Sequence, residues 1–348
     1  MTEPYALTFE PILKEKVWGG RRLSRYGKAL PSDARYGESW EIADLASTSV
    51  TGGGGASAVS VVANGPMAGR TIADAIDAWG VALLGRDGLE RAHAVGKRTG
   101  AGRPAFPLLV KYLDAGEHLS VQVHPSPSYA ESHPGAFLKT ESWYVVEAEA
   151  TRLPDGTPVE PSVFVGLEAG VDRASFCAHI ADGTVAGDLC RLPARVGRCH
   201  TLPSGTVHAL GAGVLVAEVQ TPSDTTFRVY DWAREYDRPE RELHIDEATA
   251  CIGFGEDSET RAGDQDADNT SAATAFYTID AVDGDIGFVD GKMAIVMVIG
   301  GAGSLVGAGG DVPVCAGTTV LVPAACAGEA RLSGDGALRS LVIGLGSV

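Results

Sequence analysis

Four residues in three short regions could hold a metal ion. Gln122 and His124 lie two apart in "SVQVHP" (120–125). In a strand, positions two apart share a face and sit about 7 Å from each other at roughly 3.3 Å per residue. Ser120, Gln122 and His124 therefore face one way, and Val121 and Val123 face the other. Glu141 opens "ESWYVVEAEA", and His208 follows the turn Ser204-Gly205 in "PSGTVHAL". Two imidazoles, a carboxylate and an amide oxygen make a mixed nitrogen and oxygen donor set. Such a set suits a borderline divalent ion such as Zn²⁺, with Mn²⁺, Co²⁺ or Fe²⁺ as alternatives. With no thiolate and at most four protein ligands, one or two positions stay open for water or substrate, as in a catalytic site. The bland alternative is that Gln122 and His124 face solvent from one side of a sheet.

The elements that must position these residues are mostly strands. Residues 5–50 read as strands and loops. Residues 71–100 carry a helical pattern with Thr71 as N-cap and a glycine at the end. Short strands return over 105–150, interrupted by a loop at 126–140 rich in Pro, Ser and Gly. Residues 171–195 read as a helix inserted between strands, and 199–220 as a hairpin-like pair of strands. Residues 256–273, acidic and poor in hydrophobics, read as a solvated linker. The remainder, 275–346, is strand after strand broken by Gly and Pro turns, a second and smaller β-barrel or sandwich. It contains no histidine and cannot repeat the site. No repeat of fixed period is present.

Composition agrees with a β-rich enzyme-sized chain. The 348 residues can bury a sizeable core, and the 45 glycines favour many tight turns. A net charge of −17 argues against a nucleic-acid partner, though a local cluster of Lys and Arg could still bind a small anion. The six cysteines form no CxxC pair, which fits a reduced, cytoplasmic protein. "MTEPYALTFEP" lacks the pattern of a signal peptide, and no run of about 18 apolar residues exists, so no membrane association is expected.

The pattern QxH, Glu, PxGxxH resembles the metal-binding pattern of cupins. More specifically, the chain resembles type I phosphomannose isomerases in their short bacterial form. The matching stretches are "KVWGG" (16–20), "GESWEIAD" (37–44), "PLLVKYLDAGEHLSVQVHP" (107–125), "KTESWYV" (139–145), "PSGTVHALGAG" (203–213) and "EVQTPSDTTFRVYDWAR" (218–234). They occur in the family's order and cover most of residues 5–250. The resemblance implies a mainly β fold of two cupin-like (jelly-roll) β-barrels with helical segments. The catalytic unit would be 1–255, with helices at about 71–100 and 171–195. The acidic linker 256–273 would lead to a C-terminal cupin-like domain, 274–348, without metal ligands.

Carried over residue by residue, the resemblance makes Gln122, His124, Glu141 and His208 ligands of one Zn²⁺. It places Arg228 in the catalytic pocket with Asp224, which would orient it or take part in ring opening. Without the resemblance these two read as a surface ion pair. Lys111 and Lys139 would contact phosphate or carry a proton, the latter only if a pKa is pushed down. Trp18 and Trp40 match aromatics near the substrate cleft, and Ser120 could donate to the phosphate. His133, His200 and His244 read as structural. The implied reaction interconverts mannose 6-phosphate and fructose 6-phosphate through a cis-enediol, supplying GDP-mannose biosynthesis or glycolysis. The metal and a guanidinium would stabilise oxyanion charge while a base moves the proton. The partner would be a small sugar phosphate, and the protein a monomer or homodimer. Alternatives are an isomerase of another aldose, a cupin oxygenase with an iron facial triad, and a non-catalytic sugar-phosphate-binding cupin.

Overall fold

The computed structural model describes residues 2–31, 33–49, 51–52, 55–254 and 270–347. Strands dominate, and two stacked sheets form the first unit. One holds β1 (Ile12–Gly20), β2 (Tyr36–Ile42), β3 (Leu109–Ala115), β5 (Glu141–Ala148), β8 (Cys199–Leu202) and β10 (Val214–Gln220). The other holds β4 (Val121–Val123), β6 (Ser162–Leu167), β7 (Leu189–Pro193), β9 (His208–Leu210) and β11 (Phe227–Tyr230), in the order β7-β6-β9-β4-β11.

Side-chain alternation decides what each sheet face meets. On β10, Val214 and Val216 point into the core between the two sheets, with Leu113, Trp143, Val145, Val163 and Val165. Leu215, Ala217 and Val219 point out into a second, larger core. On β4, Val121 and Val123 join an outer cluster with Phe176, Phe227, Val229 and Cys251, so Gln122 is left to face inward.

Among the described residues, five α-helices flank the sheets. Thr71 caps α1 (Ile72–Trp79) through a capping box with Asp74. Gly80, at φ 46°, breaks it from α2 (Val81–Thr99), and Gly85, at φ 74°, kinks α2 in turn, so the expected helical stretch is broken twice. The expected loop at 126–140 contains a short helix, α3 (Pro127–Ser132), started by Ser126 as cap and Pro127 at the first turn. The expected helix at 171–195 stops early. α4 (Arg173–Asp182) ends at Gly183, which adopts φ 82°, and Val185–Asp188 is a 3₁₀ turn that leads into β7. α5 (Ile245–Cys251) packs under β11 and β4. The hairpin-like pair expected over 199–220 is instead three strands that alternate between sheets, since β8 and β10 flank β5 in one and β9 lies in the other.

The C-terminal unit also pairs two sheets. Its larger sheet runs Leu7–Thr8, Thr319–Val322, Ala294–Gly300, Arg339–Leu345, Tyr277–Asp283, Ala272–Ala273. The smaller holds Ile286–Gly287, Arg331–Gly334, Ala302–Val306 and Val312–Cys315. Val296, Val298, Leu305, Val320 and Leu332 fill the space between them. The other face of the larger sheet, with Ile279, Ile295, Met297 and Ile343, shares the large core with α1, α2 and the outer face of β3 and β10. Both units are paired sheets of the cupin type. Among the described residues, backbone pairing closes neither into a continuous barrel. Residues 256–269 of the expected linker lie outside the described residues, and Ala272–Ala273 is already a strand.

Candidate metal centre and active-site cleft

The two facing sheets of the first unit bring the donors together. β9 pairs with β4 so that His208 lies opposite Gln122, and β11 pairs on the other side so that Arg228 also lies opposite Gln122. His124 follows β4 directly, and Glu141 begins β5 in the facing sheet. The turn before β9 needs Gly205 at φ 94°, where a Cβ would press on Ser126 and on the Cys251 carbonyl at 3.2 Å.

The donor atoms match a metal site. His124 Nδ1 lies 2.9 Å from the Thr225 carbonyl and His208 Nδ1 lies 2.8 Å from that of Thr206. A carbonyl only accepts, so both Nδ1 atoms carry the proton and each Nε2 presents a lone pair. His124 Nε2 is 3.4 Å from Glu141 Oε2, and His208 Nε2 is 3.2 Å from Glu141 Oε1. Glu141 is fully buried, with its Oε2 2.9 Å from Lys139 Nζ and its Oε1 without a hydrogen-bond donor. Three lone-pair donors, all within 4.8 Å of one another, thus crowd toward one point and repel. A divalent cation relieves that repulsion and suits two imidazoles and a carboxylate.

Local charge agrees with this. Burial, with help from the Lys139 ammonium, drives His124 down to about 3, so its ring is neutral and able to ligate. Burial alone would raise Glu141, but Lys139 and His124 hold it well below the usual carboxylate range. Lys139 Nζ lies 2.9 Å from Glu141 Oε2 and 3.1 Å from His124 Nε2.

Gln122 joins the set with its amide turned the other way. Its Nε2 donates to His208 Nε2 at 3.3 Å, and its Oε1 accepts from Ser120 Oγ at 3.2 Å. A half-turn about the last torsion would present the oxygen to the donors. The Ser120 hydroxyl is thereby engaged with Gln122 rather than held out toward a phosphate.

A cleft of about 280 Å³ opens beside the donors. Trp18, Trp40, Lys111, Ser120, Gln122, Lys139, Glu141, Asp224 and Arg228 all line it. His124 and His208 sit behind, each 1% exposed. Lys111 is buried, with Nζ 3.1 Å from Glu218 Oε2 and 4.0 Å from Glu38 Oε2. Burial alone would lower its pKa, but those carboxylates raise it. Trp40 holds Glu38 through Nε1 at 2.5 Å, and the Lys14 ammonium lies 4.8 Å over its ring.

Asp224 and Arg228 do not pair. Asp224 Oδ1 accepts from the Ser49 N–H at 2.7 Å, tying the segment around 49 to the cleft wall. Arg228 Nη1 donates to the Glu242 carbonyl at 2.5 Å, and its buried Nε has no partner. His244 accepts the Arg228 N–H on its Nδ1 at 3.3 Å.

Several cleft residues went unnamed in the sequence reading. Glu218 faces inward on β10 between Lys111 and Trp143, and Glu38 approaches from β2. Burial raises Glu218 out of the usual carboxylate range, opposed by Lys111 and reinforced by Glu141. Lys14, Lys16 and Arg241 complete the cationic rim. The signal for Glu218 was present, because Val214, Val216 and Glu218 share one face of an apolar strand.

No protein-family model matches the chain. It is 37% identical over 255 residues to the probable mannose-6-phosphate isomerase GmuF of Bacillus subtilis, covering 72% of this chain and 69% of that protein. The chain belongs to the mannose-6-phosphate isomerase family. A mannose-6-phosphate isomerase of Streptococcus mutans is 35% identical, with 73% and 69% of the two chains covered. The crystal structure of the mannose 6-phosphate isomerase from Bacillus subtilis superposes with a TM-score of 0.71 at 27% identity, covering 97% of this chain and 99% of that one. That alignment spans the C-terminal unit as well as the cleft. At 18% identity, a putative mannosephosphate isomerase from Archaeoglobus fulgidus shares the fold, with a TM-score of 0.70.

Proposed function

We propose that this chain interconverts mannose 6-phosphate and fructose 6-phosphate. The observation that carries the reading is the buried Glu141 carboxylate facing two imidazole lone pairs at the head of a charged cleft. Family membership gives the reaction class. His124, Glu141, His208 and, after a turn of its amide, Gln122 would hold a divalent ion, for which zinc suits the donors best. The chemistry such an ion supplies is Lewis-acid stabilisation of charge on the sugar oxygens.

The protein's own groups supply the rest. Aldose–ketose exchange moves a proton between C1 and C2 through a cis-enediol. Glu218 is a cleft carboxyl whose surroundings oppose its ionisation. It is therefore the group we assign to take that proton and return it to the neighbouring carbon. Lys111, held protonated beside it, stabilises the carboxylate form and the developing oxyanion. Arg228, with no carboxylate in ion-pair reach among the described residues, offers its charge to the substrate's anionic groups. Asp224 fixes the cleft wall, and Trp18 and Trp40 shape it. Lys139 balances Glu141 when the ligand set is bare.

All six cysteines are free, and no described helix is long and apolar enough to cross a membrane. Free thiols fit a reducing compartment, and we read the protein as a cytoplasmic enzyme acting on a small sugar phosphate, as a monomer or homodimer. The test is a coupled assay with mannose 6-phosphate on chelator-stripped protein, before and after zinc is added. Activity should vanish and return, and Glu218→Gln should lower kcat by about 10²- to 10⁴-fold at full metal content. Turnover insensitive to chelator, or binding without turnover of any aldose phosphate, overturns the reading.

A further inference from the structure

We propose that Arg241 is the second arm of the phosphate subsite, closing with Arg228 on the substrate's phosphoryl group, and that Asp231 is the residue that positions it. The identity of the anion as a sugar phosphate rests on the isomerase reading; the anion site itself does not.

The cations on the two walls of the cleft are balanced differently. On the β1 side, Lys16 pairs with Glu38 at 3.2 Å, Lys111 pairs with Glu218, and Lys14 lies against Trp40. These charges are already engaged. On the β11 side, Arg228 forms no ion pair among the described residues, and its buried Nε is unpartnered. Burial and the neighbouring Arg241 charge lower it to about 10, as expected of a guanidinium lacking its anion.

Arg241 lines the same cleft and is held from behind. The buried Asp231 carboxylate accepts from Arg241 Nε at 2.7 Å, from its Nη2, and from its backbone N–H at 3.1 Å. The same carboxylate accepts from Arg238 Nη1 at 2.7 Å, and Arg238 also reaches the Asp231 carbonyl and Glu117. One carboxylate thus serves two guanidiniums. Arg238 is fully engaged away from the cleft, whereas Arg241 Nη1 makes no hydrogen bond among the described residues. The pair Arg228 and Arg241 therefore presents free N–H donors and excess positive charge, which a dianionic phosphate complements in charge and donor geometry.

The backbone next to Asp231 supports a built site. Trp232 adopts φ 55°, a left-handed conformation that costs a non-glycine residue, and is pinned by its Nε1 donating to the Leu119 carbonyl at 2.8 Å. Leu119 and Ser120 line the cleft, so this strained turn fixes Asp231 relative to the cleft floor.

Two experiments decide it. In the wild-type holoenzyme, inorganic phosphate should protect Arg241 from an arginine-directed dicarbonyl, read by peptide mass spectrometry; no protection overturns the proposal. In steady-state assays Arg241→Met should raise KM for mannose 6-phosphate, and weaken competitive inhibition by inorganic phosphate, by about tenfold each, with a much smaller fall in kcat. Asp231→Asn should move the same two constants by less. Unchanged phosphate inhibition in a folded Arg241→Met protein refutes the assignment. The protection experiment needs no turnover. A chain that protects Arg241 yet isomerises no aldose phosphate keeps the anion site and loses only the isomerase reading.

Discussion

Replacing Gln122 by Leu isolates the metal contribution of one neutral side chain. In the bare site, Gln122 makes two hydrogen bonds, to His208 and from Ser120, each worth about 1 kcal/mol net. Their loss is partly offset by leucine's apolar surface, so the metal-free protein should lose at most about 2 kcal/mol. At about 2.1 cal/mol/K of unfolding entropy per residue, 1 kcal/mol shifts the melting temperature of 348 residues by about 1.4 °C. The metal-free penalty is then no more than about 3 °C. Zinc at about a thousand times its dissociation constant stabilises wild type by about 4.1 kcal/mol, or about 6 °C. If loss of one donor weakens binding about a hundredfold, the same zinc gives the variant only about 1.4 kcal/mol, or about 2 °C. The metal-free penalty cancels when each protein is compared with itself. The assay is calorimetric unfolding of chelator-stripped wild type and Gln122→Leu, each with and without zinc, with metal content measured in parallel. Equal zinc-induced shifts in the two proteins would refute Gln122 as a ligand, and with it the amide turn that ligation requires.

Two further outcomes follow from groups away from the donors. Lys111→Met takes the hydrogen-bonded cation away from buried Glu218, which then takes up a proton, so the melting temperature should drop by about 1 to 4 °C, for a cost of about 1–3 kcal/mol; no drop would show that the pair does not stabilise the fold. His118 is buried beside Trp232 and Tyr236, accepts the Ala212 N–H, and is pushed down to about 4 by burial and Arg191. Its folded pKa lies below the unfolded value near 6.5, so the unfolded chain takes up the proton first. Its contribution is therefore complete above about pH 6.5 and is lost as pH falls toward 4, amounting to about 3 kcal/mol. Urea unfolding of wild type and His118→Gln at pH 7 and 4.5 should show a smaller acid loss in the variant.

The convergence of His124, Glu141 and His208 was legible in part because strand period and turn chemistry are local. Alternation put Gln122 on the face opposite Val121 and Val123, and Gly205 marked the turn before His208. Glu218 was harder to see, because both faces of "VLVAEVQ" are buried and a strand between two cores reads as one apolar run. The end of α4 was missed where apolar spacing continued past Gly183. The partner of Asp224 was beyond any local rule, since Ser49 lies 175 residues away and the four-residue spacing to Arg228 suggested a false pair. That β8, β9 and β10 alternate between sheets is likewise a tertiary fact that no local pattern encodes.

The strand Leu7–Thr8 hydrogen-bonds to Thr319–Val322, so the beginning of the chain is stitched into the sheet formed by its end. With the large apolar core running between the two units, neither half owns a complete interior. Melting should then be a single calorimetric event in which the metal-bearing half and the histidine-free half lose structure together. Removing the C-terminal segment would not liberate a smaller enzyme. It would leave Tyr112, Leu215 and Val219 open to water as a sticky patch, which makes the C-terminal unit a built-in chaperone for the outer wall of the catalytic sheet.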